Sequence, residues 1–210
     1  MRRIVLTALL LLFAKLTFSQ INAVTESGDE VVLYQDGTWK YANDSTSKVS
    51  EEIPVNDGVF TKDKKSTFLV KSKTLNIGIW INPKEWNFTK GKEDDVAEYK
   101  FDKKGEDLFA MLISEKTPIP LETLKDIALQ NARNAAPDVK IVRQEFRNVN
   151  GIKVLMLEMA GTIKGIKFTY YGYYYSNDNG TIQLLTYTGS NLFDDYFKDI
   201  ELFLNGLVEL

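Results

Sequence analysis

Tyrosine is the side chain with the most chemistry to offer in this sequence. Lys167-Phe168-Thr169-Tyr170-Tyr171-Gly172-Tyr173-Tyr174-Tyr175 packs phenols into a single short run. Each phenol combines an aromatic face with a hydroxyl that both donates and accepts, a combination suited to sugars and flat ligands. In an extended chain alternate residues share a face, so Tyr171, Tyr173 and Tyr175 form the candidate ligand-binding set. Other catalytic options are few. The chain has no His and no Cys. It therefore lacks the parts for a Ser-His-Asp triad, a Cys-His dyad or a His- or Cys-based metal site. Carboxylates remain, but nothing in the sequence selects two of the 29 acids as a hydrolytic pair. Glu93-Asp94-Asp95 reads as a solvated loop and Asp194-Asp195 as helix N-terminal charge. Asn177-Asp178-Asn179-Gly180 lacks the acidic positions of a calcium loop and reads as a turn. The expectation is a protein with no catalytic residues, no metal and no cofactor.

The elements that must position the tyrosines are legible from spacing. Thr67–Val70, Ile77–Ile81, Val96–Phe101 and Leu108–Ser114 read as strands, the last two joined through Asp102-Lys103-Lys104-Gly105. Leu121, Leu124, Ile127, Ala128, Asn131, Ala132 and Ala135 recur at helical spacing between Pro120 and Pro137. Val139–Val149, Ile152–Ile163, Ile166–Ser176 and Thr181–Thr188 follow as strands separated by Asn150-Gly151, Lys164-Gly165 and Asn179-Gly180. Links this short force antiparallel neighbours, since a parallel pair needs a long crossover. A last helix carries Phe193, Tyr196, Phe197, Ile200, Phe203, Leu204 and Leu207 on one stripe, with Asn191 as its expected cap. Aromatics on both faces of the tyrosine strand imply cover on both sides. The fold class is α+β: an antiparallel sheet of about 6–7 strands between two helices, an α/β/α sandwich.

The N-terminal region reads differently. Arg2 and Arg3 precede the apolar run Ile4–Leu12, and Thr17-Phe18-Ser19 precedes Gln20. This is the pattern of a signal peptide over residues 1–19, cut between Ser19 and Gln20. The run is shorter than the roughly 20 residues of a membrane span. The expected product is soluble and exported, periplasmic or extracellular, with no membrane span after cleavage. Without the three basic residues of that segment the formal charge falls from −3 to −6, which disfavours nucleic acid as a partner. Residues 20–41 read as a β-hairpin motif turning at Asp36-Gly37, and residues 42–58 as a flexible linker before a domain at 59–210. Within the linker, Asp44-Ser45-Thr46 resembles a bacterial O-glycosylation acceptor, and VVLYQDGTWKYA resembles a short Asp-Gly-Thr-Trp hairpin of secreted bacterial proteins.

Asn76-Ile77-Gly78-Ile79-Trp80-Ile81-Asn82-Pro83-Lys84-Glu85-Trp86 resembles the opening strand and turn of the PsbP/Mog/DcrB-like superfamily. The order of elements over residues 68–208 is similar as well. That resemblance implies an antiparallel sheet between helices and an accessory or binding role, with no shared catalytic set to carry over. Trp86 is expected to lock the turn after Pro83 into the core. The functional expectation is a non-catalytic envelope protein that binds another envelope protein. The alternatives are a small-molecule or glycan binder using the tyrosine sheet, and an Asp/Glu hydrolase.

Overall fold

A computed structural model of the chain describes residues 21–25, 30–34, 38–41 and 52–210. The expected signal peptide, Asp44-Ser45-Thr46 and the Asp36-Gly37 turn lie outside the described residues. The chain divides into two compact units, the second being Ile53–Leu210. In the first, Ile21–Val24 (β1), Glu30–Leu33 (β2) and Trp39–Tyr41 (β3) form a three-stranded antiparallel sheet. The β2–β3 pairing sets Val31 opposite Tyr41 and Leu33 opposite Trp39. β1 extends the expected two strands to three.

The second unit holds thirteen of the described elements. Its strands in chain order are Val55–Phe60 (β4), Phe68–Lys71 (β5), Ile77–Ile81 (β6), Trp86–Lys90 (β7), Tyr99–Lys103 (β8) and Phe109–Glu115 (β9). Helix α1, Leu121–Ala135, is followed by Lys140–Val149 (β10), Ile152–Ile163 (β11), Ile166–Asn177 (β12) and Gly180–Gly189 (β13). Helix α2, Phe193–Leu204, and strand β14, Leu207–Glu209, close the chain.

Eight strands make one sheet in the order β4-β10-β11-β12-β13-β9-β8-β7. The short turns impose the antiparallel meander β10 to β13 as the sequence requires. Asn150 and Gly151 both adopt positive φ, as do Lys164 and Gly165, the geometry that two-residue hairpins favour. Two features correct the sequence reading. The sheet has eight strands and is mixed, because β4 runs parallel to β10, with Phe146 opposite Val55 and Arg147 opposite Asn56. The expected linker therefore cannot extend to residue 58. Residues 55–60 are strand, and Ile53 is buried against Phe146 and Leu155. Polar composition misleads here because β4 is an edge strand: backbone hydrogen bonds hold it and most of its side chains face water. A second, three-stranded sheet, β14-β6-β5, was not separable from the first by sequence.

The helices cover opposite faces of the large sheet. α1 buries Leu124 and Ala128 against Leu155, Leu157 and Tyr174. Leu124 N–H donates to Pro120 O at 2.8 Å, and the chain turns extended at Ala136 ahead of Pro137. α2 buries Ile200, Phe203 and Leu204 in the larger core, which also takes in Tyr171, Tyr173, Trp86 and the small sheet's Ile77, Ile79, Ile81 and Leu207. Asn191 does not cap α2. Leu192 is the first flanking residue and no side chain caps it; a turn from Gly189 to Leu192 feeds the helix instead. Trp86 is buried and its ring lies 4.3 Å from that of Phe203, the anchoring role its spacing from Pro83 implied.

Candidate functional site

Strand alternation splits the tyrosine run between the two faces. Tyr171, Tyr173 and Tyr175 join the core under α2, whereas Tyr174 joins the cluster under α1 and Tyr170 the neighbouring one. The three candidate residues therefore share a face, and all three pack into the core beneath α2. Tyr171 and Tyr173 are 0% exposed and Tyr175 is 8% exposed.

The hydroxyls of Tyr171 and Tyr173 belong to a polar cluster beneath α2. Arg147 projects from β10 beneath α2 and is itself 4% exposed. Its guanidinium donates to both carboxylate oxygens of Glu201 at 2.8 and 3.0 Å and to Glu145 at 2.5 Å. It also donates to Tyr173 Oη at 2.9 Å and Tyr171 Oη at 2.8 Å. Tyr171 Oη in turn donates to Glu201 at 2.5 Å, and Tyr173 Oη to Asn205 Oδ1 at 2.8 Å. The Phe60 ring of β4 lies 4.3 Å from the guanidinium carbon. Farther along β10, Arg143 pairs with Glu158 at 3.3 Å. Tyr175 Oη accepts from Asn177 at 3.2 Å.

This cluster sets the protonation states. Burial by itself would lower the Arg147 pKa; contact with Tyr173 and Glu201 outweighs it and raises the pKa above its ordinary value. Burial, reinforced by the Glu201 carboxylate, pushes Tyr171 up; burial also raises Tyr173, with Glu201 adding to it. Both phenols thus stay protonated as hydrogen-bond donors. Glu158 is raised by burial against the opposing pull of Arg143. Chemically, the cluster is a cation cross-linked to two carboxylates and two phenols, with its donors and acceptors engaged internally.

Arg147, Glu145 and Glu201 were missed at the level of sequence. A signal existed for Glu201. It lies four residues after Phe197 and three before Leu204, so it interrupts the apolar stripe of α2.

The acidic candidates are spread across the surface. Asp95 accepts from Lys100 Nζ at 2.8 Å and from the Lys92 N–H at 3.1 Å. The side-chain hydrogen bond from Lys100, with the backbone bond of Lys92, holds its carboxyl below the usual range. Asp194 and Asp195 occupy the first turn of α2. Asn177 Oδ1 accepts the Asn179 N–H at 2.9 Å, so the Asn177–Gly180 segment is a turn braced by its own side chain.

The α1 side differs. α1 covers β11 and β12, and beside it runs a groove of about 390 Å³ over β9 and β13. Ala128, Asn131, Ala132 and Ala135 form the helix wall, and Met111, Ile113, Gln183, Leu185 and Met159 form the sheet side. Tyr170 and Tyr174 also line it. Tyr174 is 0% exposed, and its Oη has no hydrogen-bond partner. Next to the groove an aromatic row crosses the sheet. Phe109 stacks on Tyr187 at 5.5 Å, and Tyr170 meets Tyr187 edge-on at 5.8 Å.

The fold matches known structures. Cyanobacterial PsbP (CyanoP) from Synechocystis sp. PCC 6803 superposes with a TM-score of 0.54 at 12% identity, over 70% of this chain and 95% of that one. LpqN of Mycobacterium tuberculosis, described as involved in cell envelope biogenesis, gives 0.47 at 10% identity, over 67% and 88%. A Pseudomonas aeruginosa protein of unknown function gives 0.43 at 12% identity, over 67% and 95%. No protein-family model and no curated protein matches the sequence. The fold is thus similar to that of the cyanobacterial PsbP.

Proposed function

We propose that this chain, built on a PsbP-like fold, is an exported, non-catalytic accessory protein that binds a component of the cell envelope. The observation that carries this reading is the state of the Arg147–Glu201–Tyr171–Tyr173 cluster. The two phenols and the guanidinium are buried beneath α2, and the half-buried Glu201 carboxylate is bonded to Arg147 and Tyr171. A catalytic acid or base must reach a substrate proton. These groups instead cross-link a helix to a sheet, which is a structural task. Export rests on the residue pattern of the first nineteen positions. Among the described residues no helix is long and apolar enough to cross a membrane.

Two measurements test the reading. N-terminal sequencing of the protein recovered from the envelope fraction of an expressing cell is expected to begin at Gln20. Cross-linking capture from envelope extract with residues 20–210 is expected to retain a specific envelope protein, with a glycan array blank. Glycan binding with no retained protein would overturn the accessory reading.

A further inference from the structure

We propose that the groove between α1 and strands β9 and β13 is a binding site for a small, uncharged, elongated apolar molecule carrying a hydrogen-bond acceptor, such as an ester carbonyl. This goes beyond the envelope reading and does not depend on it.

Three observations converge. The first is size and lining: about 390 Å³ falls in the range of small-molecule sites, roughly 300–1,000 Å³. The walls are mostly apolar, and Met111 and Met159 are flexible side chains that adjust to an occupant. The second is the helix wall. Ala128, Ala132 and Ala135 follow each other at spacings of four and three, so α1 presents a row of methyl groups beside the channel. Larger side chains at these positions would fill the space. The third is Tyr174. A buried hydroxyl without a partner is costly, and the great majority of buried polar groups are bonded. Tyr174 belongs to the groove lining, its hydroxyl is unpartnered, and burial raises its pKa, so it remains a donor. Its counterparts on the other face, Tyr171 and Tyr173, are satisfied by Arg147, Glu201 and Asn205. The hydroxyl is sealed from solvent, so a ligand acceptor would complete Tyr174 by displacing the flexible side chains that cover the groove.

The charge of the ligand follows from the lining. It contains no Lys and no Arg, and its one charged residue is Glu115. An anionic head group would find no counter-charge and would be repelled by that carboxylate.

The chain offers its own probes. Met111 and Met159 line the groove, whereas Met156 is buried in the core under α2. Residues 20–210 carrying ¹³C-methyl methionine would be titrated with methyl octanoate and, separately, with octanoate. Saturable shifts of the Met111 and Met159 methyls with Met156 unmoved are expected, and octanoate is expected to bind at least about tenfold more weakly. Tyr174→Phe should weaken ester binding by about tenfold, the effect of one buried hydrogen bond. Ala132→Phe should abolish binding while leaving the Met156 signal in place, which reports an intact fold. Unshifted Met111 and Met159 methyls would overturn the site. Equal binding of ester and carboxylate, or unchanged affinity in Tyr174→Phe, would overturn the assigned ligand class.

Discussion

The two faces of strand β12 make an informative pair. They are built from the same five-tyrosine run, yet one face is saturated and the other is not. Under α2, Tyr171 and Tyr173 hand their hydroxyls to Glu201 and Asn205 and receive hydrogen bonds from Arg147. Under α1, Tyr174 is equally buried and has no partner. The difference lies in what each helix brings. α2 supplies Glu201 from inside its apolar stripe, with Asn205 at its end, whereas the buried contacts of α1 are Leu124 and Ala128. One face is thereby fastened by polar cross-links and the other is left with a pocket. Identical residues on one strand take opposite roles because burial without a partner costs energy and burial with one specifies structure.

The largest expected effect tests the fastened face. Arg147→Met should destabilise by about 3 kcal/mol in denaturant unfolding, the lower end for a broken buried pair, since it leaves the half-buried Glu145 and Glu201 carboxylates without their cation. Adding Glu201→Leu to that variant should recover much of the loss, because replacing a buried ion pair by apolar groups of similar volume is often close to neutral. A single variant as stable as the parent would remove the cluster from the account of stability.

Tyr171→Phe should cost about 1.5–3 kcal/mol, the range for hydrogen bonds to charged groups. The same residue sharpens the comparison through pH. Its folded pKa lies above the ordinary 10.0, so its contribution is fully present below pH 10 and is lost as pH rises toward the folded value. The parent should therefore lose stability above about pH 10, and Tyr171→Phe should lose less. Unfolding free energies measured between pH 8 and 11 decide this.

The smallest effect is expected at Tyr174, and it should have the opposite sign. Tyr174→Phe removes an unpartnered hydroxyl and should leave the ligand-free protein unchanged or more stable by up to about 1 kcal/mol. A loss comparable to that of Tyr171→Phe would mean that the two faces are not distinct.

Much of the fold was legible from residue spacing. β10 to β13 and both helices follow from periodicity, Asn-Gly and Lys-Gly turns and flanking prolines, because these are local preferences. Residues 55–58 of β4 were read as linker. Asn56, Asp57 and Gly58 carry no strand signal, and their strand exists only because β10 lies alongside. β14 was absorbed into the final helix because Leu207 continues the apolar stripe, although the helix ends at Leu204 and Leu207 pairs with Ile79. The candidate site was legible in part. The sharing of one face by Tyr171, Tyr173 and Tyr175 follows from alternation, but their burial does not. Arg147 looks like any surface arginine on a strand, and its partner Glu201 is 54 residues away.

The sequence by itself determined the absence of His and Cys chemistry, the meander and the positions of the helices. All of these depend on residue identity or on near neighbours. Tertiary structure alone decided which tyrosines are fastened, which is left unpaired, and where the groove opens. Those outcomes depend on what packs over a side chain, and a strand's own residues do not encode the helix that will cover it.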